Sequence, residues 1–242
     1  MREKSKFLTA FWKNLVMANY EIDAGLLSDF VPEKTELDFH NSKCFVSLVG
    51  FMFLDTKVLG IPIPFHRNFE EVNLRFYVKH KSGNDGNEIK RGVTFIKEIV
   101  PKSLIKLVAN NIYAEKYDSM PMKNELSISD IAINVGYFWN FENDWNYVKA
   151  GADKKSFMAA PGSEEEFITE HYWGYTKVNE HQTSEYQVEH PKWKLHDVKN
   201  HEINCDFGKL YGERFSILNK TIPSSVFLAE GSDIIVRKGC KL

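Results

Sequence analysis

Glu71-Val72-Asn73-Leu74-Arg75-Phe76-Tyr77-Val78-Lys79 alternates without a break. Successive side chains of a strand point to opposite faces, so Val72, Leu74, Phe76 and Val78 form one face. Glu71, Asn73, Arg75, Tyr77 and Lys79 form the other. Ser82-Gly83-Asn84-Asp85-Gly86-Asn87 follows with strong turn chemistry, and residues 90–100 read as the returning partner, which makes a hairpin. Outward from it, residues 12–22 read as a strand, and Asp23 caps a short helix over 24–30 that Pro32 ends. Residues 44–58 are rich in Val, Leu and Phe, too continuous for a solvent-facing edge, as suits a central strand. Pro101 and the spacing of Leu104, Leu107 and Val108 predict a helix over 103–111. Further strands are expected at 126–139, 145–150, 170–176, 184–189 and 226–236, with a helix within 205–218. Long hairpin-linked strands and few helices indicate an antiparallel α+β or barrel-like fold rather than βαβ repeats. No linker or repeat divides the chain, so one domain over 1–242 is expected.

The composition narrows the function classes. Lys plus Arg number 31 against 33 Asp plus Glu, for a net charge of −2. With no basic run, that balance speaks against a dedicated nucleic-acid or anionic-membrane binder. Hydrophobic residues reach 43%, enough for a core, and 18 Phe, 10 Tyr and 5 Trp give an aromatic surplus. The longest apolar run, 44–54, is far short of the ~20 residues a membrane helix needs. Lys13 and Asn14 break the apolar stretch near the N-terminus, unlike a signal peptide. Three scattered cysteines with no C-x-x-C suit a reducing compartment, so a soluble cytoplasmic protein is expected. A homodimer is expected only because it is the commonest assembly.

Two clusters could carry chemistry. Glu71, Asn73 and Arg75 set a carboxylate, an amide and a guanidinium at i, i+2 and i+4, which could grip a carboxylate or carbonyl ligand. A solvated strand face with weak ion pairs fits the same pattern. His66 lies just upstream. The second cluster is Glu170-His171-Tyr172-Trp173-Gly174-Tyr175 with Val188-Glu189-His190-Pro191-Lys192-Trp193. Tyr172 and Trp173 are candidates for an apolar ligand wall, and His190 for an acid or base near neutral pH. An aromatic core with one satisfied histidine is the alternative. His171, His181 and His190 have no metal-ligand spacing, and no phosphate loop or nucleotide fingerprint occurs, so no metal or cofactor is expected. Lys97 and Lys123 are the candidate Schiff-base amines, a role that needs a lowered pKa.

Several segments resemble one family. They include Trp12-Lys13-Asn14-Leu15-Val16-Met17-Ala18-Asn19-Tyr20, Gly60-Ile61-Pro62-Ile63-Pro64-Phe65-His66-Arg67-Asn68-Phe69-Glu70-Glu71, Tyr172-Trp173-Gly174-Tyr175 and Pro223-Ser224-Ser225-Val226-Phe227-Leu228-Ala229-Glu230-Gly231-Ser232. Over essentially the whole chain the sequence is similar to the YqjF-like bacterial proteins of unknown function. That resemblance implies the acetoacetate decarboxylase fold, an incomplete antiparallel β-barrel flanked by short helices, with a cavity inside. Phe69-Glu70-Glu71 resembles the element that would place Glu71 in that cavity. The decarboxylases carry their Schiff-base lysine in Gly-Phe-Pro-Lys-Lys, where the second lysine depresses the pKa of the first. Here Ser119-Met120-Pro121-Met122-Lys123-Asn124 has one lysine, shifted by a residue, and Asn where the second cation would be. Three readings follow: a barrel that binds a small carboxylate or carbonyl compound, a Schiff-base enzyme using Lys123, or an interaction module with a filled interior.

Overall fold

The computed structural model describes residues 4–83, 88–101 and 116–242. Its strands are β1 (Lys6–Glu21), β2 (Glu36–Leu37), β3 (Phe45–Val58), β4 (Ile61–Pro62), β5 (Phe69–Ser82), β6 (Glu88–Val100), β7 (Tyr117–Ser119) and β8 (Met122–Ile128). They continue with β9 (Ala132–Phe141), β10 (Asp144–Met158), β11 (Trp173–Asn179), β12 (Gln182–Glu189), β13 (Lys194–Asn204), β14 (Ser225–Arg237) and β15 (Cys240–Lys241). Helices among the described residues are short: α1 (Glu164–Thr169), α2 (Phe207–Tyr211) and 3-10 turns at Ala24–Phe30 and Glu213–Lys220.

All fifteen strands share one sheet, whose main path runs β15-β12-β11-β6-β5-β3-β1-β14-β13-β10-β9-β8. Pairing is mainly antiparallel; β6 pairs in parallel with β7 and β11. β12 also pairs with β14, through Val188↔Val236 and Glu189↔Ile235, so the strand order returns on itself. β5 and β6 pair antiparallel as expected, with a register shift between Leu74 and Arg75, while residues 84–87 of the expected turn lie outside the described residues.

The two faces of β5 go to two cores. Val72, Leu74, Phe76 and Val78 are fully buried and pack with Val16, Leu48 and Tyr137 in one of them. Burying such a side chain contributes roughly 1.5–3 kcal/mol, which fixes the register and so the orientation of every polar neighbour. A Cβ on Gly50 would stand 2.7 Å from the Tyr137 ring, so glycine permits β3 and β9 to close. Phe69 and Tyr77, on the opposite face, belong to the second core with Phe51, Phe53 and Trp193.

Local signals account for the turns. Asp23 accepts from the Gly25 amide at 2.7 Å, capping the turn at Ala24–Phe30. Ser163 caps α1 by accepting from the Glu166 amide at 3.2 Å, and Glu164, Glu165 and Glu166 place negative charge at its N-terminus.

The structure differs from expectation in several places. The single strand expected over 126–139 is a hairpin, β8 and β9, turned where the Ser129 hydroxyl accepts from the Ala132 amide at 3.0 Å. The helix expected within 205–218 is divided at Gly212, whose φ of 110° ends α2. β13 was not foreseen, because its polar, largely exposed sequence has no clean alternation. The helix expected over 103–111 lies outside the described residues. No helix of the described residues is long and apolar enough to cross a membrane.

Candidate functional site

The second face of β5 borders a cavity of about 140 Å³. One water needs roughly 10–15 Å³ on the same measure, so the space suits a small organic molecule. Glu71, Asn73 and Arg75 all line it, as do His66, Trp173 and His190. The structure also brings in Glu98 and Tyr117, which the sequence had not marked, with His171 of the second cluster and Tyr186.

The polar side is layered along β5. Asn73 Nδ2 donates to Glu71 Oε1 at 2.9 Å, and the Tyr117 hydroxyl donates to Glu71 Oε2 at 3.1 Å. Glu98 faces Asn73 across the β5–β6 pairing and is 2% exposed. Burial raises the Glu71 carboxyl from 4.5 up to about 7, against the opposing effects of Asn73, Tyr117 and the positive charge of Arg75. Burial, then the nearby Glu71 and Glu98, push the Tyr117 phenol well above its ordinary value. Tyr117 therefore stays protonated and serves as a donor.

Arg75 is 8% exposed. Its Nη2 donates to the Ile168 carbonyl at 3.5 Å, its guanidinium lies 5.8 Å from the Tyr77 ring, and its Nε has no partner. No described carboxylate pairs with it. On the neighbouring strand, Ser47, which pairs with Arg75, donates through Oγ to Asn19 Oδ1 at 2.6 Å and lies 2.6 Å from the Tyr77 hydroxyl.

The His171 ring lies 4.8 Å from that of Tyr77. Its Nε2 lies 3.4 Å from Asp38 Oδ2, which also accepts from Arg91 Nε at 2.6 Å. Burial alone would raise Asp38, but the hydrogen bonds of His171 and Arg91 outweigh it and hold the carboxyl low. Burial depresses His171 to about 4, with Asp38 opposing and Arg91 adding to the shift. The ring is neutral at pH 7 and turns Nε2 to Asp38, while Nδ1 is buried without a hydrogen-bond partner.

Aromatic rings form the rest of the wall. Trp12 meets Phe51, Phe53 and Trp193 edge-on with centroids 5.2, 5.7 and 6.1 Å away. Trp193 is anchored by Nε1 donating to Ser232 Oγ at 2.9 Å. His190 stacks between Trp193 (4.2 Å) and Tyr172 (4.6 Å), with Nδ1 on the Pro191 carbonyl at 2.9 Å. Burial lowers His190 to about 4. A Cβ on Gly174 would lie 2.1 Å from Tyr186 Cζ, so glycine is required for Tyr186 to reach the lining.

Two expected site residues lie elsewhere. Tyr172 does not line the cavity; it backs His190 and bonds Glu170 through its hydroxyl. Lys123 stands on β8 outside the cavity, 4.7 Å from the Phe138 ring and 3.8 Å from Glu125, because Lys123 points away while Met122 packs inward. Lys97 likewise turns to Asp118 at 3.9 Å. No described lysine lines the cavity. Among the described residues no group of His, Cys, Asp and Glu could hold a metal.

A large, mainly antiparallel sheet with a polar-floored cavity is the acetoacetate decarboxylase-like fold. The chain aligns with acetoacetate decarboxylase from Legionella pneumophila at TM-score 0.64 and 13% identity, covering 100% of this chain and 90% of that one. An acetoacetate decarboxylase-like enzyme from Sphingomonas wittichii RW1 aligns at TM-score 0.67 and 10% identity, covering 98% and 94%. The enduracididine biosynthesis enzyme MppR complexed with pyruvate aligns at 0.66 and 10%, covering 98% and 91%. Residues 9–233 match DUF2071, a family of uncharacterized conserved proteins, and the chain belongs to that family. It is 27% identical over 192 residues to the uncharacterized protein YqjF of Bacillus subtilis (strain 168), covering 78% of this chain and 74% of that one.

Proposed function

We propose that this protein binds a small carboxylate- or carbonyl-bearing molecule in the cavity, with Arg75 holding its anionic or carbonyl oxygen. The carrying observation is the buried Arg75 guanidinium, which lines the cavity, has a partnerless Nε and pairs with no described carboxylate. A buried cation with no carboxylate at ion-pair distance is costly, and a ligand carboxylate offsets that cost with charge-assisted hydrogen bonds. Glu71 and Asn73 orient the ligand, while Trp173 and the rings around Trp12 take its apolar part. The relative MppR has been solved complexed with pyruvate, a small 2-oxo acid, which supports this ligand class.

The chain is read as one domain over 1–242 whose sheet is an incomplete barrel; the β12–β14 pairing supports that reading. Glu71, pushed close to neutrality, is the group best matched to giving or taking a proton at pH 7, with His190 as a weaker base in the same wall. A hollow interior favours ligand binding over an interaction module with a filled core. A Schiff-base reaction has no described lysine to serve it.

The test is thermal shift of the native protein and Arg75→Ala against small keto and carboxylic acids. Ligands that stabilise the native protein should lose most of that effect on the variant. Equal stabilisation of both would remove Arg75 as the clamp.

A further inference from the structure

We infer that the ligand is an aryl carboxylate, a single aromatic ring on a short acid arm, because the cavity runs from Arg75 into a cluster of aromatic rings. The inference rests on the reading that Arg75 holds a carboxylate. Phe69, Glu71, Asn73 and Arg75 line the cavity in that order along one face of β5. Phe53 pairs with Phe69 on one side and with Trp12 on the other, and Phe51 pairs with Glu71, whereas Arg75 pairs with Ser47. One end of the cavity is therefore charged and the other aromatic. The six residues from Phe69 to Arg75 rise roughly 20 Å, more than an arginine side chain and a three-carbon acid span together. An acid as small as pyruvate, held at Arg75, leaves the far rings untouched.

Those rings form one continuous wall. Phe53 stacks on Phe69 with centroids 4.7 Å apart and planes 12° from parallel, and Phe51 lies 5.2 Å from Phe53. Trp12 meets Phe51, Phe53 and Trp193 edge-on, and all five rings line the cavity. Leu8, Thr56 and Val58 continue the wall beyond them. The volume sets the size of the guest. The cavity measures about 140 Å³, and an apolar cavity of about 150 Å³ in another protein takes up benzene. A flat guest suits this wall, since aromatic pairs favour edge-to-face or offset contact with centroids about 4.5–7 Å apart.

Titration calorimetry on the native protein compares acids that share a head group and differ in the apolar part: benzoylformate with pyruvate, mandelate with lactate, and phenylacetate with propionate. Each phenyl acid should bind at least about tenfold tighter than its methyl counterpart, the effect of burying a ring. Cyclohexylacetate has the carbons of phenylacetate without its π face, and it should bind at least about twofold more weakly. Phe51→Leu should shrink the phenyl-to-methyl ratio; if that variant does not fold, the native comparisons decide alone. Equal or tighter binding by the methyl acids, or by cyclohexylacetate, overturns the inference and leaves Arg75 as the carboxylate clamp. Benzyl alcohol binding as tightly as phenylacetate overturns the carboxylate reading and the aryl acid with it. No binding by any member at millimolar concentration overturns both.

Discussion

Glu71→Gln is the most informative single change to the cavity floor. Gln keeps the shape, can accept from Asn73, and can donate to the Tyr117 oxygen, so it imitates the protonated acid. In the native protein the carboxyl moves from 4.5 to about 7 on folding. The folded state therefore holds a proton that the unfolded chain releases between those values. The stability this supplies is fully present below 4.5 and is lost as pH rises through 7. At about 1.4 kcal/mol per pKa unit, the loss is roughly 3 kcal/mol. His171 and His190 act in the opposite sense: each is lowered to about 4, so their contribution is present above 6.5 and lost as pH falls through 4. Both histidines remain in the variant and cancel in the difference. Urea unfolding of the two proteins from pH 5 to 8.5 should show nearly equal stability at pH 5 and the Gln variant ahead by up to about 3 kcal/mol at pH 8. Parallel curves over that range would refute the assignment of a buried, proton-holding Glu71.

Gly174→Ala puts a methyl group against the Tyr186 ring; overpacking of this kind costs about 1–3 kcal/mol, and the displaced ring should also weaken any ligand the cavity binds. Chemical denaturation and calorimetry together check it, and an unchanged stability would show that Tyr186 is not held there. Lys123→Ala should leave ligand binding unchanged, since the side chain contacts Phe138 and Glu125 outside the cavity. Borohydride trapping with acetoacetate, followed by peptide mapping, should find no adduct on Lys97 or Lys123; a reduced imine on either would restore the amine-enzyme reading.

The strand carrying the site was legible because its apolar face is continuous. Val72, Leu74, Phe76 and Val78 lock the period, and Glu71, Asn73 and Arg75 follow on the other side by parity alone. Their partners were not legible. Glu98 sits in an apolar strand and could have been noticed as a charge opposite Asn73, but only once the hairpin register was known. Tyr117 and Asp38 arrive from segments far away in sequence, and no local spacing announces them; His171 stood in the second cluster, but nothing local tied it to Asp38. Tyr172 was misplaced because it was set in one wall with its neighbour Trp173, although adjacent residues of an extended chain point to opposite sides and only Trp173 lines the cavity. The aromatic surplus is divided between the two cores. Tyr137 and Trp139 pack in the core away from the cavity, while Trp12, Phe51 and Phe53 supply the wall from β1 and β3.

The central claim is that a ligand carboxylate sits on Arg75 within the sheet. A crystal structure of the protein with mandelate or benzoylformate, whichever binds more tightly, tests it most directly. The account predicts a carboxylate oxygen within hydrogen-bonding distance of the Arg75 guanidinium, roughly 2.7–2.9 Å, with the phenyl ring toward Phe51 and Trp193. A ligand bound elsewhere, or an Arg75 turned to a protein carboxylate with the cavity filled by side chains, would contradict it.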